Sequence, residues 1–325
     1  MISLLRYKRI PYNVHWGDTR GRLESLNLEL PKPVLLPVIL FENEGKELAA
    51  TTDSTPMIRR LENEYPNRKV IPDDPALAFI NYLLEDFGDE WITKYMFHYR
   101  WYCRDDADKA GTILPLVEFP RALNNEEHQQ IKTWITERQT ERLWVVGSSN
   151  ETAELIDQSF RRFLQYFNGH LKQQRFLFGD KPSSADFAFY GQISQLVRFD
   201  PTPREICHEI APRVVAWVEI MDDLSGLDSE TLMWTDLENC TDSLKAILSE
   251  FGKMYAPLLL ANAKAVEEGL PEWAVDIEGS SWKQKTFSYQ AKCLNWIRIE
   301  FNGLSDVDQQ RVMSFLAGSG CEQIL

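Results

Sequence analysis

Cysteine is scarce in this 325-residue chain. Cys103, Cys207, Cys240, Cys293 and Cys321 are five in all, an odd number, widely scattered and with no CxxC pair. That excludes a disulfide framework and a zinc site of the usual spacing, and it makes a reducing cytoplasm the expected setting. Positive charge is also short: 35 Lys and Arg face 49 Asp and Glu, a net charge of −14. Phosphate-rich partners need dense Lys and Arg, so neither nucleic acid nor an anionic membrane is an expected partner. Long apolar runs are missing too, so no signal-peptide core stands at the N-terminus and no stretch is expected to span a bilayer. What the chain does have is 44% hydrophobic and 12% aromatic residues, enough to bury a large core over a length suited to about two domains.

Residues 32–64 organise the rest. Val38, Leu40 and Glu42 alternate with Ile39 and Phe41, a β-branched and aromatic pattern that fits a half-buried strand opened by Pro37. Glu44-Gly45 is the expected hairpin turn, and a second strand follows. Asp53 and Ser54 then stand where a helix begins, with Met57, Ile58 and Leu61 at helical spacing behind them. Their side-chain oxygens can cap that helix, and its first amides attract an anion such as a carboxylate.

This stretch resembles the glutathione transferases, whose thioredoxin-like domain carries a hydrophobic-Pro strand, a hairpin and an acid-Ser pair opening a helix. The resemblance implies that Leu36 and Pro37 meet the cysteinyl backbone of glutathione, with the proline cis. It implies that Asp53 and Ser54 hold the ammonium and carboxylate of the γ-glutamyl end. Glutathione is then the expected co-substrate, with no metal. The first strand of such a domain, with the residue that activates the thiol, has no sequence to occupy. MISLLRYK reads as the last turns of the first helix, followed at Pro11 by the next strand. Either Met1 lies downstream of the true start, which is the expectation adopted, or the usual catalytic end has been given up. The catalytic residue is therefore not named. Tyr7 and Ser3 would lie within the helix, and residues 17–31 form a polar connection after His15 and Trp16, which read as packing residues.

YPNRKVIPDDP is a linker rich in proline and charge, and Asp74-Pro75 opens a long helix. Leu77, Ile80, Phe87, Trp91 and Tyr95 recur along one face of that helix, beside the acids Glu85, Asp86, Asp89 and Glu90. Carboxylates on one helix hold a metal only with ligands from another, and none is expected here. By resemblance this helix lines the substrate cleft, so Trp91, Tyr95 and Arg100 are the expected pocket for a small hydrophobic electrophile, with Asp86 and Asp89 second in rank. The acids also read as a solvated or dimer-facing stripe.

Residues 124–145 and 151–173 read as two more helices. RFLFGDKPSSADFAF follows, with Ser183 and Asp186 at capping-box spacing. It resembles the buried folding segment of the transferase C-terminal domain, where its role is structural. Residues 226–325 continue as a long helix that Pro257 can kink, a turn or short hairpin, and a final helix. Their Trp, Tyr and Phe content requires packing onto the body. Cys293 and Cys321 have no neighbouring His or helix N-terminus to activate them.

The segments DSTPxIRxLE, EDFxDEWxTKxMFHYRW and YQxKCLxW together are similar to a long bacterial-type transferase subgroup with a C-terminal extension. The expected fold is an α/β thioredoxin-like domain, incomplete at its start, over 1–68. An all-α transferase domain follows over 74–225, and a helical extension over 226–325. The expected protein is a cytoplasmic homodimer that conjugates glutathione to, or otherwise transforms, a small electrophile. The alternative is a non-catalytic glutathione-binding, ligand-binding or interaction module.

Overall fold

The computed structural model describes residues 1–32, 35–42, 47–119 and 121–325. Helix α1 (Ile2–Lys8) and helix α2 (Thr19–Ser25) come first, and residues 10–18 between them form no strand. The strand expected at Pro11 is therefore absent. Strands β1 (Ile39–Glu42) and β2 (Leu48–Thr51) pair antiparallel, Ile39 opposite Thr51 and Glu42 opposite Leu48. The expected Glu44-Gly45 turn lies outside the described residues. Helix α3 (Ser54–Glu64) follows and buries Met57, Ile58 and Leu61, the face that the sequence spacing predicts.

Asp74 caps helix α4 (Pro75–Asp86) by accepting from the Leu77 amide at 2.8 Å, with Pro75 in the first turn where its missing N–H is harmless. A π-helical turn over Phe87–Ile92 joins α4 to α5 (Thr93–Tyr102), so the long helix is continuous but re-phased in its middle. Gly88 lies in that turn, where an added Cβ would come within 2.9 Å of Ala188.

Next come α6 (Arg104–Glu118), α7 (Asn125–Thr140) and α8 (Ala153–His170). They are followed by α9 (Ser184–Arg198), α10 (Pro201–Ile210) and α11 (Pro212–Met221). Beyond residue 226, α12 (Asp242–Glu250) runs through a second π turn, Phe251–Tyr255, into α13 (Ala256–Glu267). The expected long helix is thus re-phased by that turn, with Pro257 in the first turn of α13. Strands β3 (Glu272–Ile277) and β4 (Ser280–Lys285) make a second antiparallel hairpin. The single final helix expected from the sequence is two, α14 (Ser288–Asn302) and α15 (Asp306–Leu316).

The core is aromatic. Phe87 packs against Phe251 at 5.4 Å and Phe163 at 6.0 Å, and Trp91 against Trp282 at 5.7 Å. Trp282 comes from β4 and closes on Gly147, whose φ of +72° and lack of Cβ admit the indole. Gln284 fixes that hairpin by donating to the Val145 carbonyl at 2.6 Å. The last hundred residues are therefore part of the molecular core.

The S-x-x-D segment ties α9 to α4. Asp186 is fully buried, and its carboxylate accepts from the amides of Leu177 at 3.0 Å and Ser183 at 2.9 Å and from the Ser183 hydroxyl. Asn81 of α4 donates to Ser184 Oγ and accepts from the Ala185 amide. Replacing Asp186 with alanine strands buried amides, so Asp186→Ala should cost about 3 kcal/mol in denaturant unfolding. A loss below about 0.5 kcal/mol would contradict this account of the segment.

Candidate functional site

The site is built where α3 begins. Asp53 precedes the helix in a left-handed backbone conformation, φ +77°, and its Oδ1 accepts from the Thr55 amide at 3.2 Å. Ser54 Oγ donates to Asp89 Oδ2 at 2.9 Å, and Thr55 Oγ1 donates to Glu85 Oε1 at 2.7 Å. Two consecutive hydroxyls thus dock the first turn of α3 on carboxylates from α4 and its π turn. Tyr289 of α14 completes the arrangement, its hydroxyl donating to Asp53 Oδ2 at 3.4 Å. Asp53, Ser54 and Tyr289 are all partly open to solvent.

Burial governs the charge here. It pushes Asp89 up to about 8, with Glu85 adding repulsion, and it raises Glu85, Asp86 and Glu90 as well. Burial also lowers Lys94 to about 8, against the pull of Glu90. At neutral pH Asp89 therefore keeps its proton, and the first turn of α3 does not face a full set of negative charges. The buried Tyr255 hydroxyl lies toward Asp86. A cavity of about 320 Å³ opens beside Thr55 and Glu85, lined by Ile58, Phe79, Tyr82 and Leu304, with Arg59 paired to Glu300 at 2.9 Å.

The residues expected from the sequence separate into two groups. Asp53 and Ser54 stand together with Asp89. Leu36 and Pro37 lie before β1, exposed, and joined by a cis peptide bond. Trp91 and Tyr95, expected on a cleft wall, are instead fully buried. Trp91 Nε1 donates to the Tyr95 hydroxyl and Tyr95 to Ser159, each at 2.6 Å; Ser159 donates to Glu250, which Arg162 neutralises. Arg100 is likewise no pocket residue: it forks onto the buried Asp200 at 2.8 and 2.9 Å. Helical spacing marked these side chains as an inward stripe but not as a sealed one. Of the two acids second in rank, Asp89 bonds Ser54, while Asp86 is directed toward Tyr255 in the core. Tyr289 was missed, since it stands 236 residues from Asp53 and its only signal was the YQxKC segment.

The remaining candidates are absorbed by packing. Ser3 donates to the Met221 carbonyl, and Tyr7 is buried beneath the Arg68 guanidinium at 4.6 Å. Burial pushes the Cys321 thiol up to about 12 and raises Cys293 further, so neither is an activated nucleophile.

Residues 140–219, from the end of α7 to α11, match the family model described as glutathione S-transferase, C-terminal domain. This stretch of the chain is thus similar to the C-terminal domain of glutathione S-transferases. No curated protein and no solved structure matches the chain. The family match covers Arg-paired Glu250's partner helix α8 and the buried Asp186 segment, but neither α3 nor α14. No helix among the described residues is long and apolar enough to cross a membrane.

The protonated Asp89 has a measurable consequence. Its carboxyl holds a proton up to about pH 8 when folded, against an ordinary value of 3.8. Between those values the folded state binds more protons than the unfolded state, so this group makes stability fall as pH rises. Asp89→Asn keeps an acceptor for Ser54 and removes the titration. Its thermal midpoint at pH 8 should exceed that of the unmodified protein, by an amount that shrinks towards pH 4. Equal differences at both pH values would contradict the assignment.

Proposed function

We propose that the protein is a glutathione-dependent transferase that binds the γ-glutamyl end of the tripeptide at Asp53 and Ser54. The observation that carries this reading is the docked first turn of α3. The Thr55 amide is taken by Asp53 and Pro56 has none, so the Ser54 amide faces a carboxylate. The Ser54 hydroxyl joins it once protonated Asp89 donates to Ser54 Oγ in its place, while Asp53 suits the adjacent ammonium. A zwitterionic α-amino acid end presents that pair of charges on one carbon. Asp89 and its neighbours would oppose an arriving carboxylate if ionised, and the upward shift of Asp89 removes that conflict near neutral pH.

In this reading residues 1–68 are a thioredoxin-like glutathione-binding part, 74–225 the all-α transferase domain and 226–325 an extension packed on both. Leu36 and Pro37 would meet the cysteinyl portion. The cavity beside Thr55 offers an apolar wall for a small electrophile, the role first expected of Trp91 and Tyr95. The thiolate sulfur attacks the electrophilic carbon and forms the thioether, and the displaced group leaves with the electron pair. Five free cysteines suit a reducing cytoplasm. A homodimer would bury a face other than the side of α4 already covered by α14 and α15.

One observation favours a second reading. Ser3 and Tyr7, hydroxyls near the N-terminal end, are engaged in packing rather than presented to a thiol. That suits a glutathione-binding or ligand-binding module without turnover.

Calorimetric titration of glutathione into the 325-residue protein tests the shared core of both readings. Binding in the micromolar to millimolar range is expected. Ser54→Ala should raise the dissociation constant about three- to tenfold, the weight of one charge-assisted hydrogen bond. A folded protein that gives no heat with saturating glutathione at several temperatures would remove both glutathione readings and leave a module for another ligand. Turnover of an electrophile at saturating glutathione then separates enzyme from binding module.

A further inference from the structure

We propose that Tyr289, from the C-terminal extension, is a positioning residue of the glutathione site, acting through Asp53; the inference rests on the γ-glutamyl reading above. The family match stops at residue 219, yet the hydroxyl that completes the acid-Ser turn comes from far beyond it. Asp53 Oδ1 is held by the Thr55 amide and Oδ2 by Tyr289, so both oxygens have a fixed direction and each keeps a lone pair for an incoming N–H. Without Tyr289 the carboxylate would be tethered through one oxygen only and free to turn about its χ2 bond.

The extension is built to deliver that hydroxyl. Asn262 of α13 is fully buried and clamps the backbone of Phe287, donating to its carbonyl and accepting from its amide, both at 2.8 Å. The Trp273 indole donates to the same Asn262 oxygen at 3.0 Å. Together these contacts fix Phe287, the residue just before α14 begins at Ser288. The far end of α14 is pinned by Glu300 to Arg59 of α3 and by Phe301 to Phe79 of α4 at 5.5 Å. Tyr289 itself rests its ring against Phe287 at 6.1 Å and Trp296 at 6.0 Å. Phenylalanine would keep those ring contacts and lose only the hydroxyl.

The test compares two ligands, glutathione and its analogue with the γ-glutamyl α-amino group replaced by hydrogen, titrated into the full chain and its Tyr289→Phe and Asp53→Asn variants. Tyr289→Phe should weaken glutathione about three- to tenfold and leave the analogue unchanged, because only the ammonium depends on the direction of Asp53. Adding Tyr289→Phe to Asp53→Asn should cost nothing further. The thermal midpoint of Tyr289→Phe should match that of the unmodified protein. Equal glutathione binding by Tyr289→Phe overturns the proposal and leaves the γ-glutamyl reading standing. An equal loss for both ligands overturns it as well, since that marks a general packing effect. Failure of the unmodified protein to bind glutathione overturns the γ-glutamyl reading first, and this inference with it.

Discussion

Glu85 and Asp89 lie one turn apart on a helix that runs through the core, and carboxylates in such a place need donors or protons. Ser54 and Thr55 supply the donors, and the raised affinity of Asp89 for its proton supplies the rest. That requirement fixes the position of α3 on the body more closely than its apolar face alone could. Met57, Ile58 and Leu61 would tolerate sliding by a fraction of a turn, whereas two adjacent hydroxyls on two specific carboxylates would not. The first turn of α3 is therefore held at a defined place and angle, which a polar ligand at its N-terminus requires.

The π turn over Phe87–Ile92 belongs to the same design. It re-phases the long helix so that Asp89 faces Ser54 while Phe87 and Trp91 still point into the aromatic core. Gly88 lets α9 approach at that level, and the fully buried Asp186 secures α9 from the other side. The extension then closes over the assembly. Trp282 fills the space beside Trp91, and α14 crosses α4 to reach Asp53 with Tyr289. In this arrangement the last hundred residues contribute to the candidate site alongside the first sixty.

Local chemistry made part of this legible in the sequence. Asp74-Pro75, Asp53-Ser54 and Ser183 with Asp186 announce helix starts through side-chain oxygens placed a few residues from the amides they serve, and the structure has helices at each. The β1–β2 pairing followed from alternation. The strand at Pro11 failed because a local apolar pattern cannot form a strand without a neighbour to pair with. Trp91, Tyr95 and Arg100 were misplaced for a related reason. Periodicity tells which residues share a face, while Ser159, Glu250 and Asp200, which seal that face, come from helices far along the chain. Tyr289 was beyond reach, because nothing near it in sequence refers to Asp53.

The claim that the start of α3 and the start of α14 form one ligand site is tested most directly by amide hydrogen exchange with and without glutathione. The account predicts that glutathione slows exchange together at residues 53–57 and 287–293, with no comparable change at α7 or α10. Slowing confined to other parts of the chain, or at residues 53–57 with none at 287–293, would contradict it.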